Sequence, residues 1–153
     1  MPSRRNLIEM SEQEIDSFLA EQQTLILGSL LPSGEIHLVP MWYVPTREAL
    51  WCWTYARSQK AKNLSRQDTL SGLVESGSRY EELRGVSFRA RAVLLDDQET
   101  VLRVGRGLYE RYAKWGTAIA EESFLASAPK RVAFSLVRTR TASWDHRKLA
   151  GKY

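Results

Sequence analysis

Two periodicities alternate along the chain, an every-second-residue apolar pattern and a helical one, and their order sets the architecture. Residues 50–56 alternate Trp51, Trp53 and Tyr55 with Leu50, Cys52 and Thr54, which predicts a strand buried on both faces. A short helical run follows at once, with Ser58 as its N-cap and Lys60 and Lys62 in its first turns.

Upstream, Ser11, Glu12, Gln13 and Glu14 form a capping box, and Met10 is placed to staple onto Ile15. The helix they open carries Ile15, Phe18 and Leu19 on one stripe, ends near Gln22 and is expected to plug the end of a barrel. Residues 24–31 read as a strand, Pro32, Ser33, Gly34 and Glu35 as a tight turn, and residues 36–44 as the return strand. Pro40 lacks an amide, so an edge or a bulge is predicted there. A second turn, from Pro45 to Glu48, leads into the aromatic strand and completes a predicted three-strand meander.

Downstream, residues 69–75 read as a short strand with Gly72 in its middle, where a ligand or another backbone has room to approach. Residues 86–95 follow, with Val86, Phe88, Ala90, Ala92 and Leu94 on one face. Arg89 and Arg91 take the other, as a solvated surface or an anion-recognition pair. Val101, Val104, Leu108, Tyr112 and Trp115 repeat at helical spacing over residues 98–114, and the mixed charges around them, Arg111 included, predict a solvated outer face. After a helical turn at Phe124 and Leu125, residues 131–138 read as the last strand. The fold class is therefore mainly β with appended α: six or so mostly antiparallel strands that close most naturally into a small barrel.

Composition narrows the setting. At 153 residues the chain supports one core and not two ordinary domains, so residues 1–153 are expected to form one domain, with 1–9 and 149–153 as flexible tails. No apolar run approaches membrane length and none follows Arg4 and Arg5, so the expected location is the cytoplasm, with no membrane partner. The single cysteine, Cys52, excludes an intrachain disulfide and a cysteine-based metal site. P-loop, dinucleotide-fold and zinc-protease patterns are absent. A net charge of +4 suits an anionic ligand, while the interleaved acidic residues argue against specific nucleic-acid binding. His37 stands in a strand without a nearby Ser or Asp partner and is assigned no chemistry.

The strongest candidate for chemistry is the strand-to-helix junction. Cations at a helix N-terminus oppose the macrodipole unless an anion is held there. Free amides, the Ser58 hydroxyl, Arg57 and Lys60 converge on a point suited to a phosphate, and a solvated basic helix is the plain alternative.

The run Thr54-Tyr55-Ala56-Arg57-Ser58-Gln59-Lys60-Ala61-Lys62-Asn63-Leu64 resembles the phosphate-binding segment of the pyridoxamine 5'-phosphate oxidase-like superfamily, the flavin and deazaflavin split barrels. Thr54, Ser58 and Lys60 match its T-x-x-x-S-R-K-type pattern, and Gln59 replaces the usual Arg. The resemblance implies a split β-barrel working as a homodimer with cofactor clefts at the subunit interface, in keeping with five Trp and six Tyr in so small a chain.

Two departures exclude pyridoxamine 5'-phosphate oxidation itself from what is expected. The strand that should read R-x-V-L-L-K reads His37-Leu38-Val39-Pro40-Met41-Trp42, and the tail Trp144-Asp145-His146-Arg147 lacks the R-L-H-type motif. The V-P-x-W-type strand, the Lys60-Ala61-Lys62-Asn63-Leu64 helix and the tail from Ser143 to Leu149 resemble instead the small reductases using coenzyme F-420, a deazaflavin. On its own chemistry the tail reads as a surface or dimer contact.

That branch implies hydride transfer between F-420 and an unsaturated or conjugated small molecule. The phosphate would be held by Arg57, Ser58 and Lys60 with Thr54 and Asn63 nearby, and the ring edge would lie against Val39, Pro40, Met41 and Trp42. An FMN-binding oxidoreductase is the alternative. A non-enzymatic binder of flavin, haem or a polyanion is the second, because no convincing general acid or base is visible in the cleft.

Overall fold

The computed structural model describes residues 3–151. Its elements are α1 (Arg4–Ile8), α2 (Glu12–Glu21), β1 (Leu25–Leu30), β2 (Ile36–Met41), β3 (Val44–Pro45), β4 (Leu50–Tyr55), α3 (Gln59–Arg66), β5 (Thr69–Ser76), β6 (Arg84–Leu95), α4 (Gln98–Ala113), α5 (Glu121–Leu125) and β7 (Arg131–Asp145). Seven strands form one antiparallel sheet in the order β2-β1-β5-β6-β7-β4-β3, curled into a split half-barrel.

The inner face buries Leu25, Leu27, Val74, Val86, Phe134 and Leu136, and α2 plugs one end with Ile15, Phe18 and Leu19. The capping box forms as read from the sequence: the Ser11 hydroxyl accepts from the Glu14 amide at 3.2 Å, and the Ser11 amide donates to Glu14 at 2.7 Å. On the outer face α4 covers β4 and β7 through Val101, Val104 and Leu108, packed on Trp53 and Ala133. The outer face of β2, β1, β5 and β6 stays open, with Ile36 and Leu38 69% and 65% exposed along a groove of about 820 Å³.

The predicted meander does not form. β2 is an edge strand, as Pro40 suggested, but β4 pairs with β7 and not with β2. The cause lies at Trp42 and Tyr43, which interrupt the expected 36–44 strand. Tyr43 is fully buried, and its hydroxyl donates to the Leu19 carbonyl at 2.7 Å. Trp42 instead stacks on Tyr112 of α4, with centroids 4.1 Å apart and planes 7° from parallel. The chain turns there and resumes as β3 on the far side of the split.

β7 also runs seven residues past its expected end at Arg138. A bulge between Arg89 and Ala90 shifts the β6–β7 register, so that Arg84 to Arg89 pair with Arg140 to Asp145. The polar run Arg138 to Thr141 concealed this extension. The tail packs on its own chain: Trp144 covers Gly85, Lys148 reaches the Glu9 carbonyl and Glu14, and Arg147 grips Asp145 at 2.7 Å. α4 brings a further correction, because Arg111 is not on a solvated face. Its guanidinium lies over the rings of Tyr43, Tyr112 and Trp115, 4.8 to 5.5 Å from their centroids.

Gly72 is approached closely by the Phe88 ring, and a Cβ there would lie 2.3 Å from Cζ of that ring. At Gly85 a Cβ would come within 2.1 Å of Cζ2 of Trp144. Gly85→Ala is therefore expected to cost about 1 to 3 kcal/mol by overpacking, read as a lower urea midpoint. An unchanged midpoint would show that the tail does not depend on this contact.

Ion pairs around α2 add a pH dependence. Arg84 holds the Glu21 carboxyl below its usual value, and Arg147 does the same for Asp145. Both folded-state pKa values are depressed, so their stabilisation is present above the unfolded carboxylate value of about 4 and lost as pH falls through the lowered values. Acid unfolding followed by circular dichroism should be less steep in Glu21→Gln than in the wild type. Identical profiles would remove the Arg84–Glu21 pair from this account.

Candidate functional site

The end of β4 and the first turn of α3 bring three predicted residues together. Thr54 is buried on the inner side of β4, its hydroxyl 3.2 Å from that of Ser58. Ser58 caps α3, its hydroxyl accepting from the Ala61 amide at 3.3 Å. Lys60 folds back and donates to the Thr54 hydroxyl at 3.1 Å. Two hydroxyls, an ammonium and free helix amides thus share one corner, a donor set that fits a phosphate.

No carboxylate offsets Lys60 among the described residues. Burial lowers its ammonium below the ordinary lysine value, and the nearby Arg131 guanidinium lowers it further. Arg131 opposes Tyr55 across the β4–β7 ladder. It lies over the Trp53 and Tyr55 rings at 4.4 and 4.1 Å, and its Nε donates to the Ser127 hydroxyl at 2.7 Å. Burial lowers its pKa too. Two half-buried cations without a counter-ion repel each other, and a bound anion relieves that cost.

The other predicted residues lie elsewhere. Arg57 is exposed just before the cap. Asn63 is 1% exposed and shares a 3.1 Å hydrogen bond with Ser29, so it pins α3 onto β1. Val39 is half-buried against the core and Pro40 is exposed on the edge strand. Trp42 belongs to an aromatic cluster with Tyr112 and Phe124. Phe124 also stacks on Trp53, on the opposite face of β4 from Thr54.

Arg131 is the neighbouring cation that the sequence reading missed, on the Trp53 and Tyr55 face of β4. Its signal was the paired rings Trp53 and Tyr55, a platform for a guanidinium, but only the β4–β7 register says which residue comes to stand on it. Of the other two arginines singled out, Arg91 pairs with Asp68 at 3.4 Å, and Arg89 is exposed along the open groove. Among the described residues no group of His, Cys, Asp and Glu is placed to hold a metal, and no helix is long and apolar enough to cross a membrane.

The conserved hypothetical protein Rv2991 of Mycobacterium tuberculosis is 41% identical, with a TM-score of 0.86 over 97% of this chain and 93% of that one. An F420 reductase shares the fold at 19% identity and a TM-score of 0.67, covering 82% of this chain and 94% of its own. So does HutZ, the heme storage protein of Vibrio cholerae, at 19% identity and 0.67, covering 84% and 90%. No curated protein matches. The sequence profile of the family described as pyridoxamine 5'-phosphate oxidase matches residues 11–146, from the α2 capping box through the last strand. With that profile spanning most of a split half-barrel, the chain belongs to the pyridoxamine 5'-phosphate oxidase-like family.

Proposed function

We propose that the chain is an oxidoreductase that holds coenzyme F-420 and passes a hydride between it and an unsaturated or conjugated small molecule. The observation that carries this reading is the Thr54, Ser58 and Lys60 corner, a phosphate-shaped set of donors with no carboxylate to neutralise it. The V-P-x-W-type strand and the Lys60 to Leu64 helix favour the deazaflavin, and the fold is shared with an F420 reductase at the same 19% identity as with HutZ. When bound, the cofactor supplies the hydride chemistry through its own ring, so the protein has to bind, orient and exclude water. Thr54, Ser58 and Lys60 hold the phosphate, Arg57 adds charge at the exposed rim, and Asn63 keeps α3 in place. Of the three wall residues, Val39 faces inward and would meet the ring edge, whereas Pro40 faces outward and Trp42 stacks on Tyr112 of α4.

FMN is the second reading, favoured by one observation. Its phosphomonoester would meet the same Thr54, Ser58 and Lys60 donors, with the Arg131 charge on the Trp53 and Tyr55 face of the same strand end. The test is to mix reduced F-420, or separately reduced FMN, with the protein and a panel of quinones and conjugated enones, following cofactor reoxidation by absorbance. Protein-dependent reoxidation of F-420 alone is the expected result. Reoxidation of FMN alone would move the assignment to the flavoprotein, and acceleration of neither, with haem taken up instead, would favour a non-enzymatic binder.

The same reading includes a homodimer closed through the open outer face of β2, β1, β5 and β6. Ile36 and Leu38 on that face, with Val93 and Val137 half-exposed farther along the sheet, make an apolar surface that suits a second copy of the chain. Sedimentation should therefore give twice the chain mass, and Leu38→Lys should return the protein to the monomer. A wild-type monomer at working concentration would contradict this assembly.

A further inference from the structure

Two charges on the open sheet face, Arg89 and Glu75, have no ion pair among the described residues. On β5, Leu70 and Val74 enter the core, so Ser71, Leu73 and Glu75 point outward. On β6, Phe88 and Ala90 enter it, so Ser87, Arg89 and Arg91 point outward. Arg91 has Asp68, but the ladder offers Arg89 and Glu75 nothing of opposite sign. Arg89 stands between Ser71 and Arg140, and Glu75 stands opposite Gly85. A like charge directly across a ladder is unfavourable, so Arg140 deepens the need of Arg89 for a carboxylate.

The register lines the outward residues up in rows across the strands. Pro40, Ile26, Leu73, Ser87 and Ala142 make one row, and it carries no charge. Leu38, Gly28, Ser71 and Arg89 make the row on one side of it, and Glu75 with Gly85 lies in the row on the other. Arg89 and Glu75 thus flank the neutral row, each about 7 Å from it along its strand.

We propose that the two-fold axis of the homodimer lies along this neutral row, so that Arg89 of each copy pairs with Glu75 of the other. The proposal rests on the assembly through this face given above, and it fixes which residues meet. A two-fold in the plane of the interface and across the strands reverses the strand direction, which lays the arginine row of one copy over the glutamate row of the other. Packed sheets lie about 10 Å apart and neighbouring strands about 5 Å, within reach of an extended guanidinium and a carboxylate set one strand over. The symmetry makes the contact twice. An axis parallel to the strands would instead face each row with its own kind. An axis one row over, through Ser71, would bring the two copies of Arg89 together, and like charges so placed exclude a register.

Sedimentation equilibrium on charge-reversed chains tests this. Glu75→Arg alone and Arg89→Glu alone should each dimerise about tenfold or more weakly than the wild type, since either change sets like charges against each other twice. An equimolar mixture of the two variants should dimerise within about threefold of wild type, because one copy then brings two cations and the other two carboxylates. The wild-type dimer should itself weaken as salt rises. A mixture no more dimeric than its components, a variant that dimerises as the wild type does, or a wild-type dimer indifferent to salt would overturn this axis alone, provided that Leu38→Lys is monomeric. A wild-type monomer would overturn it together with the assembly beneath it.

Discussion

Lys60→Ala is expected to bind F-420 and FMN about tenfold to a hundredfold more weakly than the wild type, the equivalent of one charge-assisted contact of about 1.5 to 3 kcal/mol. Lys60 donates to Thr54 and meets no carboxylate among the described residues, so under the proposed function its charge is left for the ligand. The same variant should unfold no earlier than the wild type, since removing a half-buried cation beside Arg131 also removes a repulsion. Affinity should depend on pH in a fixed direction. The folded-state pKa of Lys60 is lowered, so the charged form that holds the anion is lost as pH rises through that lowered value, and binding weakens there. Calorimetry across the alkaline range reads both effects. Full affinity in Lys60→Ala, for both cofactors, would place the phosphate elsewhere.

Arg111→Leu is expected to be among the most destabilising single changes in the chain, at about 3 to 5 kcal/mol. Arg111 donates to the Leu19 carbonyl at 3.1 Å and the Ala20 carbonyl at 3.0 Å, and it also reaches that of Gln22. Those groups end α2, where the helix leaves carbonyls unsatisfied and where a cation is favoured by the dipole. The guanidinium is also sandwiched among Tyr43, Tyr112 and Trp115, so its loss opens a gap between α4 and the plugged end of the barrel. Arg111→Lys should recover less than half of the loss, because one ammonium cannot reach several carbonyls as a planar fork does. Urea unfolding of the three proteins measures this. A change of under about 1 kcal/mol in Arg111→Leu would mean that the helix end finds other partners.

Which parts were legible follows from whether the information was local. The α2 capping box, the Ser58 cap and the alternation in β4 and β6 are set by neighbours in sequence, and the structure has them where the residues put them. Pro40 marked an edge strand for the same reason, its missing amide. The β4–β7 pairing is not local. Nothing near Trp53 says that Arg131 will cross the sheet to stand on it, and hairpin continuity wrongly favoured β2 as the partner of β4.

β7 was read short because its second half alternates Arg and Thr, side chains that resemble a loop until the bulge at Arg89 aligns them with β6. Arg111 was misplaced because charge on a helix usually marks the solvent side, and only the fold reveals the α2 carbonyls waiting opposite. Within the site, the spacing of Thr54, Ser58 and Lys60 was readable because a strand end and a helix start bring those positions together within seven residues.

Calorimetric titration of the unliganded protein with F-420 and with FMN, side by side, tests the central claim most directly. The account predicts saturation at one cofactor per subunit, tighter for F-420, with the heat of binding sharply reduced in Lys60→Ala. Failure of both cofactors to bind saturably, or binding indifferent to Lys60, would contradict it.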